Sequence, residues 1–248
     1  MIKQQPLRQR IRKGVILTTF LLFPIIMNYF SPYVIIDGAS QGIINGSFIV
    51  FGAMFLSALF LGRAWCGWVC PAGGLQEAAS AINNGPFKTG RRDWIKWFIW
   101  FPWIGIIVAV AISAGGYRRV DFFHLTESGV SVTDPVQYIT YLTVVGVFFG
   151  LAVAAGRRAG CHVLCWMAPF MILGRKLRNL GAWPALRLAA QSAACKDCLK
   201  CTSNCPMSLE VHGMVQAERM EHNECILCGT CVDNCAQGAV RFSFSAGK

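Results

Sequence analysis

Two cysteine-rich stretches decide the fold of the C-terminal part of this chain: CKDCLKCTSNCP at residues 195–206 and CILCGTCVDNC at residues 225–235. In each stretch two residues separate the first three cysteines from one another, and three residues separate the third from the fourth. A tight loop of this kind presents three thiolates to one metal centre, and the remaining ligand has to come from elsewhere. Structural zinc sites usually pair two Cys-x2-Cys units, and disulfides are rare in the cytoplasm. Neither explains two runs of four cysteines.

The spacing is that of bacterial two-cluster ferredoxins, in which the fourth cysteine of each run binds the cluster of the other run. The sequence therefore predicts two 4Fe–4S clusters with crossed ligands, in a small C-terminal α+β domain. One predicted ligand set is Cys195, Cys198, Cys201 and Cys235, and the other is Cys225, Cys228, Cys231 and Cys205. Pro206 follows the first run, whereas Ala236 follows the second, which changes the turn without removing a ligand.

The composition of the whole chain is that of a membrane protein. Of its 248 residues, 54% are hydrophobic and 14% are charged, whereas soluble domains carry about 25% charged residues. Four stretches without a charged residue approach the ~20 residues that a helix needs to cross a bilayer: residues 14–36, 42–62, 97–116 and 136–156. We therefore predict an all-α membrane domain of four transmembrane helices over residues 14–182. It lies between a basic cytoplasmic tail (1–13) and the ferredoxin-like domain (183–248).

The placement of the basic residues, which give a net charge of +11, indicates topology rather than nucleic-acid binding. They cluster before the first apolar stretch, between the second and third, and after the fourth. Such an excess of Lys and Arg marks cytoplasmic loops. We expect a multi-pass protein of the cytoplasmic membrane, with both termini and the ferredoxin-like domain in the cytoplasm and basic residues near anionic lipid. The first stretch exceeds the ~7–15-residue core of a signal peptide, so we expect an uncleaved anchor.

Four further cysteines follow the second and fourth apolar stretches, in GRAWCGWVCP (62–71) and GRRAGCHVLC (156–165). The helices thus form an internal repeat of two hairpins, each ending in a Cys-x3-Cys pair. A two-fold arrangement would bring together Cys66, Cys70, Cys161 and Cys165. Free buried cysteines often serve only as small apolar residues. Matched pairs at equivalent ends of a repeat instead favour a metal ion or cluster, a dithiol relay or transient Cu(I) binding. His162 is either an additional ligand or a polar residue at the membrane surface.

Two weaker patterns bear on a quinone. His124 lies near three acidic residues in the longest outer loop, where it either accepts protons from a quinol or is simply solvated. Four tryptophans recur every third residue between positions 94 and 103. Such a stripe is more typical of an interfacial anchor or a packing ridge than of a quinone site.

The joint pattern resembles the NapH-type membrane ferredoxins, a quinol dehydrogenase family that shares its module with NosR-like, MauN-like and CcoG-like proteins. The apolar helices, the segment at 62–71 and the two ferredoxin runs carry the resemblance. It implies an electron-transfer component of anaerobic respiration, which passes electrons between the quinol or quinone pool and a partner cytochrome or ferredoxin-type subunit. The CcoG-like and NosR-like members imply an alternative, a copper reductase or a maturation factor for a partner metalloenzyme. The second membrane motif departs from the family's Cys-x3-Cys-Pro, because Trp166 follows Cys165.

Overall fold

The computed structural model describes residues 6–247, and most of the chain before the ferredoxin-like domain is helical. The helices of this part are α1 (Leu7–Leu21), α2 (Phe23–Ile26), α3 (Pro32–Ser40), α4 (Gly46–Leu61), α5 (Ala64–Trp68), α6 (Pro71–Ala79), α7 (Ile95–Ser113), α8 (Pro135–Ala155), α9 (Ala159–Val163) and α10 (Ala168–Gly181). Single turns of 3-10 helix at Met27–Phe30 and Arg91–Trp94 precede α3 and α7. Two short parallel strands, β1 (Ile43–Asn45) and β2 (Arg119–Asp121), pair before α4 and after α7.

Two helices are long and apolar enough to cross a membrane, Arg91–Ser113 and Pro135–Ala155. A third span results if Leu7–Leu21 and Phe23–Phe30 are counted together, although the chain bends by 61° between them. The predicted number of four transmembrane helices is therefore not confirmed. The shortfall lies in α4, which ends at Leu61 after 16 residues. A helix of that length rises only ~24 Å, whereas the hydrocarbon core of a bilayer is ~30 Å thick.

The long helices α7 and α8 expose large apolar side chains, as helices in contact with lipid do. Phe98 is 75% exposed, Ile112 is 72% exposed and Val136 is 72% exposed. A soluble protein rarely leaves apolar patches of this extent open to water. The exposed apolar surface therefore supports a membrane location for α7 and α8.

The packing follows the internal repeat of two hairpins. Helices α4 and α8 are each followed by a glycine of positive φ, Gly62 and Gly156, and then by a five-residue helix that holds one cysteine. Helix α6, which follows the first cysteine pair, packs against α8, whereas α10, which follows the second pair, packs against α4. Each hairpin thus covers the other, and the two cysteine pairs lie at their interface.

The C-terminal domain combines a two-stranded sheet with short helices, as the sequence predicts. Strand β3 (Ala185–Ala190) pairs in antiparallel fashion with β4 (Val240–Ser245). Helices α11 (Lys200–Ser203) and α13 (Thr230–Asp233) each contain the third cysteine of a run and contact each other, and α12 (Val211–Gln216) comes between them in sequence.

A buried ion-pair network attaches this domain to the membrane helices. Glu224, which precedes the second cysteine run, accepts hydrogen bonds from Arg63 Nη1 at 2.8 Å and from Lys96 Nζ at 2.6 Å. The three side chains are at most 4% exposed. Burial alone would raise the pKa of Glu224, but the neighbouring Arg63 and Lys96 cations outweigh burial and lower that pKa to about 2. Glu224 is therefore ionised at neutral pH.

We predict that Glu224→Gln lowers the free energy of unfolding by about 3 kcal/mol, because it leaves two buried cations without their counter-ion. Thermal unfolding in detergent, followed by tryptophan fluorescence, measures the loss as a lower midpoint. The control is Glu127→Gln, which changes an exposed carboxylate and should leave the midpoint unchanged.

The contribution of Glu224 to the free energy of unfolding should change with pH in one direction. Because folding lowers the pKa of Glu224, its contribution is complete above about pH 4.5, the ordinary range of a carboxylate, and is lost as pH falls toward 2. The difference in the free energy of unfolding between Glu224→Gln and the wild type should therefore be constant near neutral pH. Equal midpoints of thermal unfolding for Glu224→Gln and Glu127→Gln at about pH 7 would contradict the role of Glu224 as an anchor.

Candidate functional site

The eight C-terminal cysteines line two cavities, and each cavity takes three cysteines from one run and one from the other. The first cavity is lined by Cys195, Cys198, Cys201 and Cys235. The second cavity is lined by Cys225, Cys228, Cys231 and Cys205. The fold therefore brings together the same two sets of four cysteines that the sequence predicts as cluster ligands.

The thiols of the two cavities are not arranged as a site for a single metal ion. A tetrahedral ion with metal–sulfur bonds of about 2.3 Å holds its sulfur ligands ~3.8 Å apart. Within residues 6–247, no three cysteine sulfurs all lie within 4.8 Å of one another. In a cubane each cysteine binds a different iron, so its sulfurs lie further apart than around one ion. The assignment of these cysteines as cluster ligands stays a prediction.

The two cavities differ in their surroundings. The first lies beside Lys196 and Lys200, and its Cys198 is exposed. The second is lined by apolar side chains that include Met207 and Ile226, and three of its four cysteines are buried. Cluster potentials depend on solvent exposure and on nearby charge. Clusters in these two cavities should therefore have different reduction potentials.

The cysteines of the two membrane motifs also come together. These basal cysteines are all buried and belong to one packed core: Cys66, Cys70, Cys161 and Cys165. Gln76 of α6 donates a hydrogen bond to Cys161 Sγ at 3.1 Å. Arg158, from the second hairpin, donates to the Cys66 carbonyl at 2.8 Å. Each hairpin therefore contacts the cysteine motif of the other.

Two buried arginines lie beside the basal cysteines. Arg63 and Arg158 are each 1% exposed. Arg63 interacts electrostatically with the thiols of the first and second motifs, and so does Arg158. Buried negative charge is costly unless it is compensated. Each arginine also pairs with a carboxylate, Arg63 with Glu224 and Arg158 with Glu77, so only part of its positive charge is available to the sulfurs.

His162 is fully buried next to Cys161, but its ring faces acidic groups. Its Nδ1 pairs with Asp93 Oδ1 at 2.6 Å. Ligand-type atoms of Asp93, His162 and Glu224 lie within 4.8 Å of one another. Because two cations already occupy both oxygens of Glu224, this group is an ion-pair network rather than a metal site. The Nε2 atom has no hydrogen-bond partner among residues 6–247, so a ligand role for His162 stays a prediction.

The motif at residues 66–70 packs directly against the second ferredoxin loop, a contact that no sequence pattern indicates. Gly67 lies so close to the Ile226 carbonyl oxygen that a β-carbon at Gly67 would overlap it. Trp68 Nε1 donates a hydrogen bond to the Leu227 carbonyl at 3.1 Å. The basal cysteines therefore adjoin the second cavity of the ferredoxin-like domain.

Residues of the predicted basic tail also contribute to this contact. Helix α1 begins at Leu7, so the chain is helical before the first apolar stretch. Gln9 donates to the Cys228 carbonyl at 2.9 Å, and Arg12 donates to the Gly67 carbonyl at 3.0 Å. In the sequence these side chains indicate only topology, because nothing in the local pattern shows what they face.

The two weaker sequence patterns have structural explanations. His124 Nε2 lies 2.6 Å from Asp37 Oδ2. Among residues 6–247, its ion-pair partner is therefore a residue of α3 and not an acidic residue of the outer loop. Trp100 and Trp103 pack edge-on against Phe170, with ring centroids 5.3 and 5.8 Å apart. The tryptophan stripe is therefore in part a packing ridge between helices.

Two family models match the chain. A 4Fe-4S binding domain matches residues 45–90, which include Cys66 and Cys70. A 4Fe-4S dicluster domain matches residues 194–240, which include all eight cysteines of the two cavities. The two matches coincide with the first membrane motif and with the ferredoxin-like domain.

Several curated proteins are similar to this chain over most of its length. YccM of Escherichia coli is 24% identical over 217 residues, which are 82% of this chain and 57% of YccM. The ferredoxin-type protein NapH of Haemophilus influenzae is 24% identical and covers 73% of this chain, which spans 62% of NapH. The methylamine utilization ferredoxin-type protein MauN of Methylobacillus flagellatus is 27% identical, over 82% of this chain and 69% of MauN.

The chain thus spans only part of each of these relatives, between 57% and 69% of their length. No solved structure matches it significantly. The cysteine-lined cavities, the family models and the relatives agree with one another. The chain is similar over most of its length to ferredoxin-type membrane electron-transport proteins such as NapH and MauN, and two of its regions match 4Fe–4S domain models.

Proposed function

We propose that this protein is a membrane-bound iron–sulfur subunit that carries electrons between a quinol or quinone and a partner redox protein. The observation that supports this most directly is the contact between residues 66–70 and the loop at residues 225–228. It supports an electron path, because it joins the first membrane motif to the loop that holds Cys225 and Cys228. A cytochrome or a ferredoxin-type subunit is the partner that the NapH-like relatives favour.

We assign the eight C-terminal cysteines as ligands of two 4Fe–4S clusters, with Cys235 and Cys205 as the crossed ligands. Bound clusters of this type take up and release single electrons at potentials set by charge, hydrogen bonds and exposure. The chain itself buries the second site against the membrane helices and leaves the first site open. Lys196 and Lys200 beside the first site favour a partner with an acidic surface.

We further propose that the basal cysteines together hold a redox centre of the iron–sulfur type. The 4Fe-4S binding-domain model includes Cys66 and Cys70. No three of the basal thiols lie within 4.8 Å of one another, so they do not already form a site for a single ion. Arg63 and Arg158 supply positive charge beside the buried sulfurs. The alternative occupant is Cu(I), which prefers the same soft ligands and would favour a copper reductase or a maturation factor.

We propose that the ferredoxin-like domain and both termini lie in the cytoplasm, and that α4 completes a fourth span. The basic residues at the cysteine end of the helices support this orientation. A short apolar helix such as α4 is accommodated in a bilayer by local thinning at modest cost.

We predict that the wild-type protein, purified without oxygen, contains about 12 iron atoms per chain, since each 4Fe–4S cluster holds four. Replacing all four basal cysteines by serine should lower the count to about 8 while the ferredoxin-like domain keeps its clusters. Iron and acid-labile sulfide analysis, with electron paramagnetic resonance of the reduced protein, gives both numbers. Met171→Leu is the control, because Met171 Sδ lies 3.4 Å from Cys66 Sγ but is not a proposed ligand.

The same measurement separates the two proposals for the basal cysteines. Eight irons in both the wild type and the serine variant would show that the basal cysteines hold no cluster. One copper per chain, lost in the serine variant, would favour the copper reductase or maturation factor.

We predict that Gly67→Val slows reduction of the clusters by a quinol analogue about tenfold or more. The added side chain should push the loop at Ile226 away from the basal cysteines, and the distance between these two sites limits the rate of electron transfer. Stopped-flow bleaching of the iron–sulfur absorbance measures this rate. Gly52→Ala is the matched control, since a β-carbon at Gly52 meets no atom within 4 Å.

Iron content and the potentials of the two ferredoxin clusters should be the same in the Gly67 variant and the control. Equal rates in both variants would remove the contact at Gly67 from the electron path. A wild-type protein that exchanges electrons with no quinone analogue would contradict the quinol part of the proposal.

A further inference from the structure

A cavity of about 440 Å³ lies between α1, α6 and the ferredoxin-like domain, apart from the cysteine-lined cavities. Its lining includes four cationic side chains, Arg12, Lys13, Arg157 and Arg158, and one carboxylate, Glu77. Most of the other polar groups in its wall are amides and hydroxyls. The cavity therefore carries an excess of positive charge.

The one carboxylate in the lining already accepts hydrogen bonds at both of its oxygens. Glu77 accepts hydrogen bonds from Arg12 at 2.7 and 2.8 Å, one to each oxygen, and from Arg158 at 2.5 Å. Burial alone would raise the pKa of Glu77, but Arg158 and Arg12 outweigh burial and lower that pKa to about 2. Even with Glu77 ionised, the lining retains three more positive than negative charges.

Several donors in the lining have no acceptor. The Nε atoms of Arg157 and Arg158 are buried and have no hydrogen-bond partner in the described part of the chain. Arg158 itself is 1% exposed. Among residues 6–247, neither Lys13 nor Arg157 forms an ion pair with a carboxylate, since none of the salt bridges there involves them. Buried unpaired donors of this kind are costly, which points to an anionic ligand.

The cavity lies at the basic end of the first apolar stretch. Lys13 is the last basic residue before the first apolar stretch. Ile16 and Leu17, one turn further along α1, also line the cavity. Leu17 is 46% exposed and Leu21 is 69% exposed, so an apolar surface continues from the cavity along the helix. Basic pockets beside membrane helices bind the headgroups of anionic lipids in this way.

We infer that this cavity is a binding site for a phosphate group, and that a phospholipid headgroup supplies it. The unpaired Nε atoms of Arg157 and Arg158 and the Lys13 ammonium would contact the phosphate oxygens, a ligand for which arginine is well suited. The acyl chains would lie along the exposed apolar face of α1. Inorganic phosphate offers the same chemistry without the acyl chains.

The site would also link lipid to the redox part of the protein. Arg157 Nη1 donates hydrogen bonds to the carbonyls of Ser203 at 2.8 Å and Cys205 at 3.1 Å. A headgroup held by Lys13 and Arg157 therefore connects α1 to the loop that carries a proposed cluster ligand. Bound lipid stabilises the attached position of the ferredoxin-like domain.

The test compares the double variant Lys13→Gln/Arg157→Gln with Lys88→Gln/Arg91→Gln, which removes two exposed cations elsewhere in the chain. The full-length holoprotein in detergent is titrated with phosphatidylglycerol, phosphatidylcholine or inorganic phosphate. Native mass spectrometry counts bound molecules, and iron content shows that each variant is folded.

The wild type and the control should bind phosphatidylglycerol at least about tenfold more tightly than the double variant, because two juxtaposed cations are lost. They should also prefer it to phosphatidylcholine. Displacement of the lipid by millimolar inorganic phosphate would assign the site to phosphate as such, and its failure to displace the lipid would assign it to the intact phospholipid. Lys13→Gln alone gives an intermediate affinity and serves if the double variant loses its clusters.

Two results would overturn the inference. One is a double variant that binds phosphatidylglycerol as tightly as the control does. The other is a wild type that binds neither phosphatidylglycerol over phosphatidylcholine nor inorganic phosphate.

Discussion

The arrangement at the cysteine end of the molecule depends on the burial of one carboxylate, Glu224, between Arg63 and Lys96. Arg63 lies three residues before Cys66, and Glu224 directly precedes Cys225. The ion pair that attaches the ferredoxin-like domain therefore also fixes one cysteine motif relative to another. A shift of the domain by one residue would leave three buried charges unpaired, at a cost that a marginally stable protein cannot bear.

A buried ion pair of this kind is better understood as a constraint on position than as a source of stability. Well-packed apolar side chains can be as stable as a buried pair, but they do not specify one orientation with the same precision. A second anchor illustrates the contrast. Glu221 pairs with Arg175, Arg178 and Arg187, yet its side chain is 38% exposed. The side chains of the three arginines are only 4%, 0% and 9% exposed, so the Glu221 group also needs its carboxylate and supports the position that Glu224 defines.

The parts of this structure that the sequence predicts are those in which local spacing meets a strict chemical demand. Two runs of cysteines predict two sets of four because a cubane needs four thiolates from a tight loop and a crossing ligand. Helices α7 and α8 follow from length and apolarity alone. The count of spans did not follow, because it depends on where α4 ends and where the first apolar stretch bends. The contact of Gly67 with Ile226 joins residues 159 positions apart in sequence, and no local pattern encodes such an approach.

The burial of the three cysteine-lined sites bears directly on how an electron path through this protein would be protected. A soluble partner can approach the exposed Cys198, whereas Cys228 and Cys231 are buried beneath the domain surface. The basal cysteines are buried between the two hairpins. On the proposed function, the buried second site lies between the basal cysteines and the first site. Such an order of sites requires the domain to remain attached, so on this proposal the Glu224 ion pair would hold the path together as well as the fold.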